Sequence, residues 1–138
     1  MRFTKSLQAW HQSMQLVSQI HHLIPTQSEL SYNLQFKKSA AAITHSIAES
    51  FGTITYNAYL LNFSETNAII NNLKTELKVA NETGNLHFTD YLILVNSATI
   101  VQETLVQLLS KITERKNKQK IRVPVFPLNP NLKNDKFI

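Results

Sequence analysis

His45 and Glu49 stand four residues apart in a stretch of helical periodicity, a spacing that puts an imidazole and a carboxylate on one face. Such a pair can share a hydrogen bond or form half of a metal site. A di-metal carboxylate centre of the kind that helical bundles host needs Glu-x-x-His pairs together with further inward glutamates. No Glu in this chain is followed three residues later by His, so the pair reads as an ordinary polar contact or a helix-end anchor. Ser39, Ser46 and Ser50 share the segment with His45, but within a helix rather than on a strained turn beside an oxyanion hole, so nucleophilic catalysis is not expected. The lack of cysteine excludes a thiol nucleophile, a disulfide framework and a thiolate metal site. Neither Rossmann-type nor phosphate-loop glycines occur. The expectation from these residues is a chain that is not an enzyme and uses no cofactor and no metal.

Phosphate contact is the chemistry that remains. The formal charge of +5 is unevenly placed: residues 1–110 carry six basic and seven acidic groups, whereas residues 111–138 carry eight basic and two acidic groups. Such asymmetry points to an acidic partner, nucleic acid above all. The candidate contacts are Lys37 and Lys38, then Lys111, Arg115, Lys116, Lys118, Lys120 and Arg122. Each could neutralise a backbone phosphate and add salt-dependent affinity without reading sequence. The competing reading is that lysines near a helix C-terminus complement its dipole and keep the surface soluble. Aromatic residues that could stack on bases are not interleaved with these cations in the sequence; Phe126 is the exception nearby.

The elements that must position these residues are helical. Leu7, Trp10, Met14, Val17, His21 and Ile24 alternate spacings of three and four and predict a helix over about residues 6–24, with His21 on its core stripe beside His22 and Pro25 ending it. Thr26 with Glu29 has the form of a capping box, so the second helix starts near residues 27–31. The organising stretch runs from Gln35 to Gly52: a seam of Phe36, Ala40, Ile43, Ile47 and Phe51, with the small residues Ser39 to Ala42 permitting close helix approach. Gly52 can close this helix in the left-handed conformation and Thr53 or Thr55 can cap the next. Tyr56, Tyr59, Phe63, Thr66, Ile70, Leu73, Leu77, Ala80 and Gly84 form the most regular seam, a helix of about 27 residues or roughly 40 Å. A turn at Asn85–His87 leads to the last seam, Tyr91, Leu94, Ala98, Val101, Leu105, Leu108 and Ile112. Leu92, Val95, Thr99, Val106 and Leu109 form a second stripe beside it, which fits either a centrally packed helix or a subunit interface.

Together these predict an all-α protein: an up-down-up-down antiparallel four-helix bundle over residues 1–114, followed by a basic extended tail over 115–138 in which Pro124, Pro127 and Pro130 recur every third residue. The tail reads either as disordered or as an arm that docks on its own bundle or a neighbouring subunit. The N-terminus lacks a secretory pattern and no stretch reaches the roughly 18 apolar residues that a membrane span needs, so a cytoplasmic protein without a membrane partner is the expectation.

The second helix also carries a resemblance. Gln35, Phe36, Lys37, Lys38, Ser39 and Ala40, then Ala42 and Ile43, then Ser46, Ile47, Ala48, Glu49 and Ser50 are similar to a pattern Gln-Leu-Arg-Arg-Ala-Ala, Ser-Ile, Asn-Ile-Ala-Glu-Gly. With the Leu7-x-x-Trp10 opening, Pro25 and Glu29, and Leu73-x-Thr75-x-Leu77-x-x-Ala80 ahead of Gly84, residues 3–112 resemble the bacterial four-helix bundle family related to proteins encoded within intervening sequences of 23S ribosomal RNA genes. The chain departs from that pattern in having lysine for arginine at Lys37 and Lys38, Ser46 and Ser50 flanking Ile-Ala-Glu, and Asn72 for a glutamate. Lysine in place of arginine loses bidentate phosphate geometry. The resemblance implies a non-enzymatic cytoplasmic bundle, suspected of nucleic-acid binding, that forms homopentamers; RNA is expected ahead of DNA as the partner. A related branch resembles the accessory protein that partners the reverse transcriptase of diversity-generating retroelements. Such a ring would give the second stripe of the fourth helix a purpose and would gather five basic tails.

Overall fold

Four helices make up the described chain: α1 (Arg2–Leu23), α2 (Leu30–Ser50), α3 (Tyr56–Glu82) and α4 (Phe88–Arg122). The computed structural model describes residues 2–24 and 30–122. The expected capping box at Thr26 and Glu29, the helix-ending Pro25 and the prolines of the tail therefore lie outside the described residues. Each helix packs on its neighbours in chain order and α4 closes onto α1, while among the described residues no Cα atoms of the diagonal pairs α1–α3 and α2–α4 come within 8 Å of each other.

The core is apolar side chains at helical spacing. Phe36, Ala40, Ile43 and Ile47 of α2, Tyr59, Ile70, Leu73, Leu77 and Ala80 of α3, and Leu94, Ala98, Val101, Leu105 and Leu108 of α4 are buried as their three-four periodicity requires. Fully burying a Leu or Ile side chain contributes roughly 1.5–3 kcal/mol, so this column carries the stability of the bundle. On α1 the buried line is displaced from the expected one. Ser6, Ala9, Ser13, Leu16, Ile20 and Ile24 are buried, whereas Met14 and His21 are exposed and Leu7, Trp10 and Val17 are half-buried. The small residues explain the shift: at Ala9 and Ser13 there is little side chain to keep neighbouring backbones apart, and the larger neighbours straddle the contact. His21 instead lies on the surface with Nδ1 3.0 Å from the Val17 carbonyl.

Helix ends correct three further expectations. α1 begins at Arg2, earlier than residue 6. Gly52 does not take the left-handed conformation; α2 tightens into a turn in which the amides of Phe51, Gly52 and Thr53 each donate to the carbonyl three residues back, which satisfies those carbonyls without a positive φ. Phe51, expected in the seam, is carried out of the core by that turn and is exposed. Thr55 is the N-cap of α3, its hydroxyl accepting from the Ala58 amide at 3.1 Å. At the other end of α3, Gly84 has φ 83°, and the amides of Asn85 and Leu86 both reach the Ala80 carbonyl as Leu86 folds into the core.

The largest correction concerns α4. It continues to Arg122, so residues 115–122, expected as the start of an extended tail, are helical. The segment Lys111–Arg122 contains good helix formers, neither glycine nor proline, and follows a helix already nucleated by packing. Contrary to the expectation that no stretch is long and apolar enough for a membrane span, Phe88–Lys118 contains such a window by length and composition, because its polar residues are chiefly uncharged amides and hydroxyls; 33% of that window is buried in the bundle.

The two glycines should respond differently to substitution. Gly84→Ala is expected to lower stability by about 1 kcal/mol or more, because a Cβ is strained at that φ, although no atom lies within 4 Å of it. Gly52→Ala should change stability by less than about 0.5 kcal/mol, its added methyl meeting the Glu49 carbonyl at an ordinary 3.7 Å. Urea denaturation of both variants tests this; equal losses would mean that the α3–α4 turn does not depend on glycine.

Candidate functional site

The basic end of α4 is held by the start of α3. Three contacts set the register between these helices: Lys74 Nζ donates to Gln102 Oε1 at 2.8 Å, and the Gln102 amide donates to Asn67 Oδ1 at 2.7 Å and to Asn71 Oδ1 at 2.9 Å. Further along, the Tyr56 hydroxyl and Thr113 Oγ1 lie 2.8 Å apart. Three residues beyond Thr113, the Lys116 ammonium sits 4.7 Å from the centroid of the Tyr56 ring, a cation–π contact.

Around this anchor lies an open cleft of about 320 Å³ lined by Ile54, Thr55, Tyr56, Tyr59, Ile112, Arg115 and Lys116. Ile54, in the turn between α2 and α3, is 93% exposed. The lining therefore combines two cations, two aromatic rings and two branched apolar side chains, with no carboxylate among them. Apart from Phe126, the sequence placed no aromatic residue beside the basic cluster. Tyr56 and Tyr59 are there, delivered from more than 50 residues away in the chain by helix packing.

The cations expected to contact nucleic acid fall into two groups. Lys111, Arg115 and Lys118 are exposed on the last turns of α4, with Lys116 half-buried beside them, and the backbone carries Lys120 and Arg122 on the same helix. Lys37 and Lys38 lie elsewhere. Gln35 and Ser39, which bracket them on α2, donate to Glu76 of α3, whereas the α4 cluster is level with Tyr56. Those two levels are about 20 residues apart on α3, roughly 30 Å at 1.5 Å per residue. Within one chain the structure thus does not bring the two basic groups together.

The other residues singled out in the sequence form a surface pair, buried packing contacts and the apolar stripe of α4. His45 Nε2 and Glu49 Oε2 are 3.3 Å apart with both side chains largely exposed, a solvated pair of small energetic weight. Ser46 is buried against Thr66, and Ser50 Oγ donates to the Ile47 carbonyl at 2.6 Å, so these hydroxyls serve packing. Among the described residues no three or more His, Asp or Glu side chains converge to hold a metal ion. Of the second stripe on α4, Leu92 and Val106 are 49% and 51% exposed; Val95 packs on the core, and Thr99 and Leu109 are half-buried. Phe88, Ile93 and Ile100 widen the exposed apolar surface of this helix.

No protein-family model matches the chain, and no curated protein matches it either.

Tyr56→Phe should lower stability by about 0.5–1.5 kcal/mol, the usual net contribution of one hydrogen bond, since only the hydroxyl facing Thr113 is removed. Chemical denaturation checks this, and an unchanged midpoint would show that the Tyr56–Thr113 contact does not hold α4 to α3.

Proposed function

We propose that the chain is a non-enzymatic, oligomeric helical-bundle protein of the cytoplasm that binds structured RNA, with DNA as the second candidate, through the basic end of α4. One observation carries this reading. Lys111, Arg115 and Lys118 follow one another at spacings of four and three on a continuous helix, so they share a face, all three are exposed, and Glu114 is the sole carboxylate between them. A row of cations about 5–6 Å apart suits successive phosphates, and a helix holds that row without the ordering cost that a loose tail would bear on binding. Lys37 and Lys38, near the other end of α2, are secondary contacts for a long target or for a second protomer.

An up-down-up-down antiparallel order is part of the proposal. It is supported by pairs that run in opposite directions along neighbouring helices: Lys5 with Gln107 and Gln19 with Ser97 between α1 and α4, Gln35 with Glu76 and Ser46 with Thr66 between α2 and α3, and Asn67 with Gln102 and Tyr56 with Thr113 between α3 and α4. In this order the basic end of α4 leaves the bundle beside the start of α1. A homopentamer, as the resemblance to the intervening-sequence family implies, would set five such helices side by side and turn weak contacts into avidity.

The test is fluorescence anisotropy of a labelled RNA hairpin at several salt concentrations. With Lys111, Arg115 and Lys118 all changed to Gln, the slope of log affinity against log salt should fall by about two to three, close to 0.7–0.9 for each phosphate that is no longer neutralised. An unchanged slope would exclude the α4 row as the contact surface.

A second reading, a scaffold or accessory subunit for a nucleic-acid enzyme such as a retroelement reverse transcriptase, is favoured by the exposed apolar residues of α4, Leu92, Ile93, Ile100 and Val106. Both readings expect self-association through this helix. Light scattering at micromolar concentration should give a multiple of the monomer mass, and Leu92→Glu with Val106→Glu should return it to that of one chain. A monomeric wild-type protein would sink the ring.

A further inference from the structure

We infer that the cleft between the α2–α3 turn and the end of α4 is a subsite for one unpaired nucleotide of the bound RNA. This inference rests on the proposed RNA-binding role and assigns to the cleft what the row of cations does not provide, contact with a base. The lining divides by chemistry. Arg115 and Lys116 occupy one wall, while Ile54 and Ile112 supply aliphatic surface and Tyr56 an aromatic ring. A ligand that matches both parts is an amphipathic anion with a flat apolar body, which describes a nucleotide whose base has left its stack. The absence of any carboxylate from the lining leaves nothing in the cleft to repel a phosphate.

Size points the same way. A cleft of about 320 Å³ is at the small end of the range for ligand sites, about 300–1,000 Å³, and admits one nucleotide unit rather than a duplex. The cationic wall is also oriented in advance. Lys116 rests on the Tyr56 ring, and the Tyr56 hydroxyl is engaged by Thr113, so the ring and the ammonium over it hold one arrangement. A phosphate then meets a cation already directed by the protein. The 93% exposure of Ile54 places a large apolar side chain in water at the mouth of the cleft, with the exposed Phe51 in the same turn. A base laid against Ile54 would cover it.

The position of the cleft links it to the row on α4. Arg115 belongs to both, so a strand whose phosphates follow Lys118, Arg115 and Lys111 passes the cleft mouth. Paired regions of a structured RNA would engage the row, and an unpaired nucleotide would enter beside it. A base stacked on such a surface is read through its face, so the cleft prefers unpaired over paired RNA without selecting one base strongly.

The experiment uses the whole 138-residue chain and three labelled RNA probes: a blunt hairpin, the same hairpin with a short single-stranded adenosine extension, and the hairpin with an abasic extension of equal length and charge. Wild-type protein should bind the adenosine extension about tenfold more tightly than the abasic one, at the lower end of what a stacked base contributes. Ile54→Ser should remove that difference and leave the blunt hairpin affinity unchanged. The side chain is almost wholly solvent-exposed, so the variant retains its fold, which an unchanged thermal melt verifies. Equal affinity for adenosine and abasic extensions, or an Ile54→Ser variant that still distinguishes them, would overturn the subsite while leaving phosphate binding by α4 intact. Failure of the wild-type protein to bind any of the three probes at low salt would overturn the RNA-binding reading and the subsite with it.

Discussion

Buried hydroxyls, together with partly exposed amides that bridge the helices, set the register of this bundle, and the remaining geometry follows from it. An apolar column of Leu, Ile and Val tolerates sliding by a helical turn, because one aliphatic contact replaces another at little cost. A buried hydroxyl does not, since leaving it unpaired costs on the order of 1–3 kcal/mol. Ser46 faces Thr66 between α2 and α3, the Asn62 amide donates to the Ser46 carbonyl at 2.9 Å, and Thr44 donates to Ser13 at 3.1 Å between α2 and α1. Ser97 bonds Gln19 between α4 and α1, and Gln102 bridges Asn67 and Asn71 between α4 and α3. Each of the four helix contacts therefore carries at least one polar pair that breaks if the register slips.

That register decides what stands at the far end of the bundle. With Gln102 of α4 tied to Asn67 and Asn71 of α3, about ten further residues of each helix bring Thr113 to Tyr56, and the next turn brings Lys116 over the ring. The helix thus leaves the apolar core at Leu108 and still has a partner at Thr113 and Lys116. Its basic residues accordingly extend from an anchored rod. The same arrangement separates this group from Lys37 and Lys38, which lie on α2 between Gln35 and Ser39, the two residues that donate to Glu76.

The surface of α4 follows from its dual composition. One line of the helix is buried in the core, and the flanking positions keep Leu92, Ile93, Ile100 and Val106 exposed. An ordinary solvated helix would place charge at those positions. In α4 charge is concentrated instead after residue 110, so the helix presents an apolar body and a basic end, two surfaces of different chemistry.

Helix number and type, and the cores of α2, α3 and α4, were legible in the sequence because large apolar residues recur at three-four spacing and only a helix aligns them on one side. The α1 stripe was read one position away because Ala9 and Ser13 are buried by close backbone approach, and neither residue announces burial by its size. The end of α4 was hidden because the apolar seam stops at Ile112, and Thr113–Arg122 holds only Ile121 to mark it as helix. The basic row itself was visible in the composition, but its aromatic neighbours were not: Tyr56 and Lys116 are 60 positions apart in the chain, and only the pairing of α3 with α4 makes them adjacent. Local periodicity thus determined the elements and their apolar faces, whereas the cleft at Ile54, Tyr56, Ile112 and Arg115 was decided by tertiary packing, since contact between remote segments depends on helix register, which local spacing does not encode.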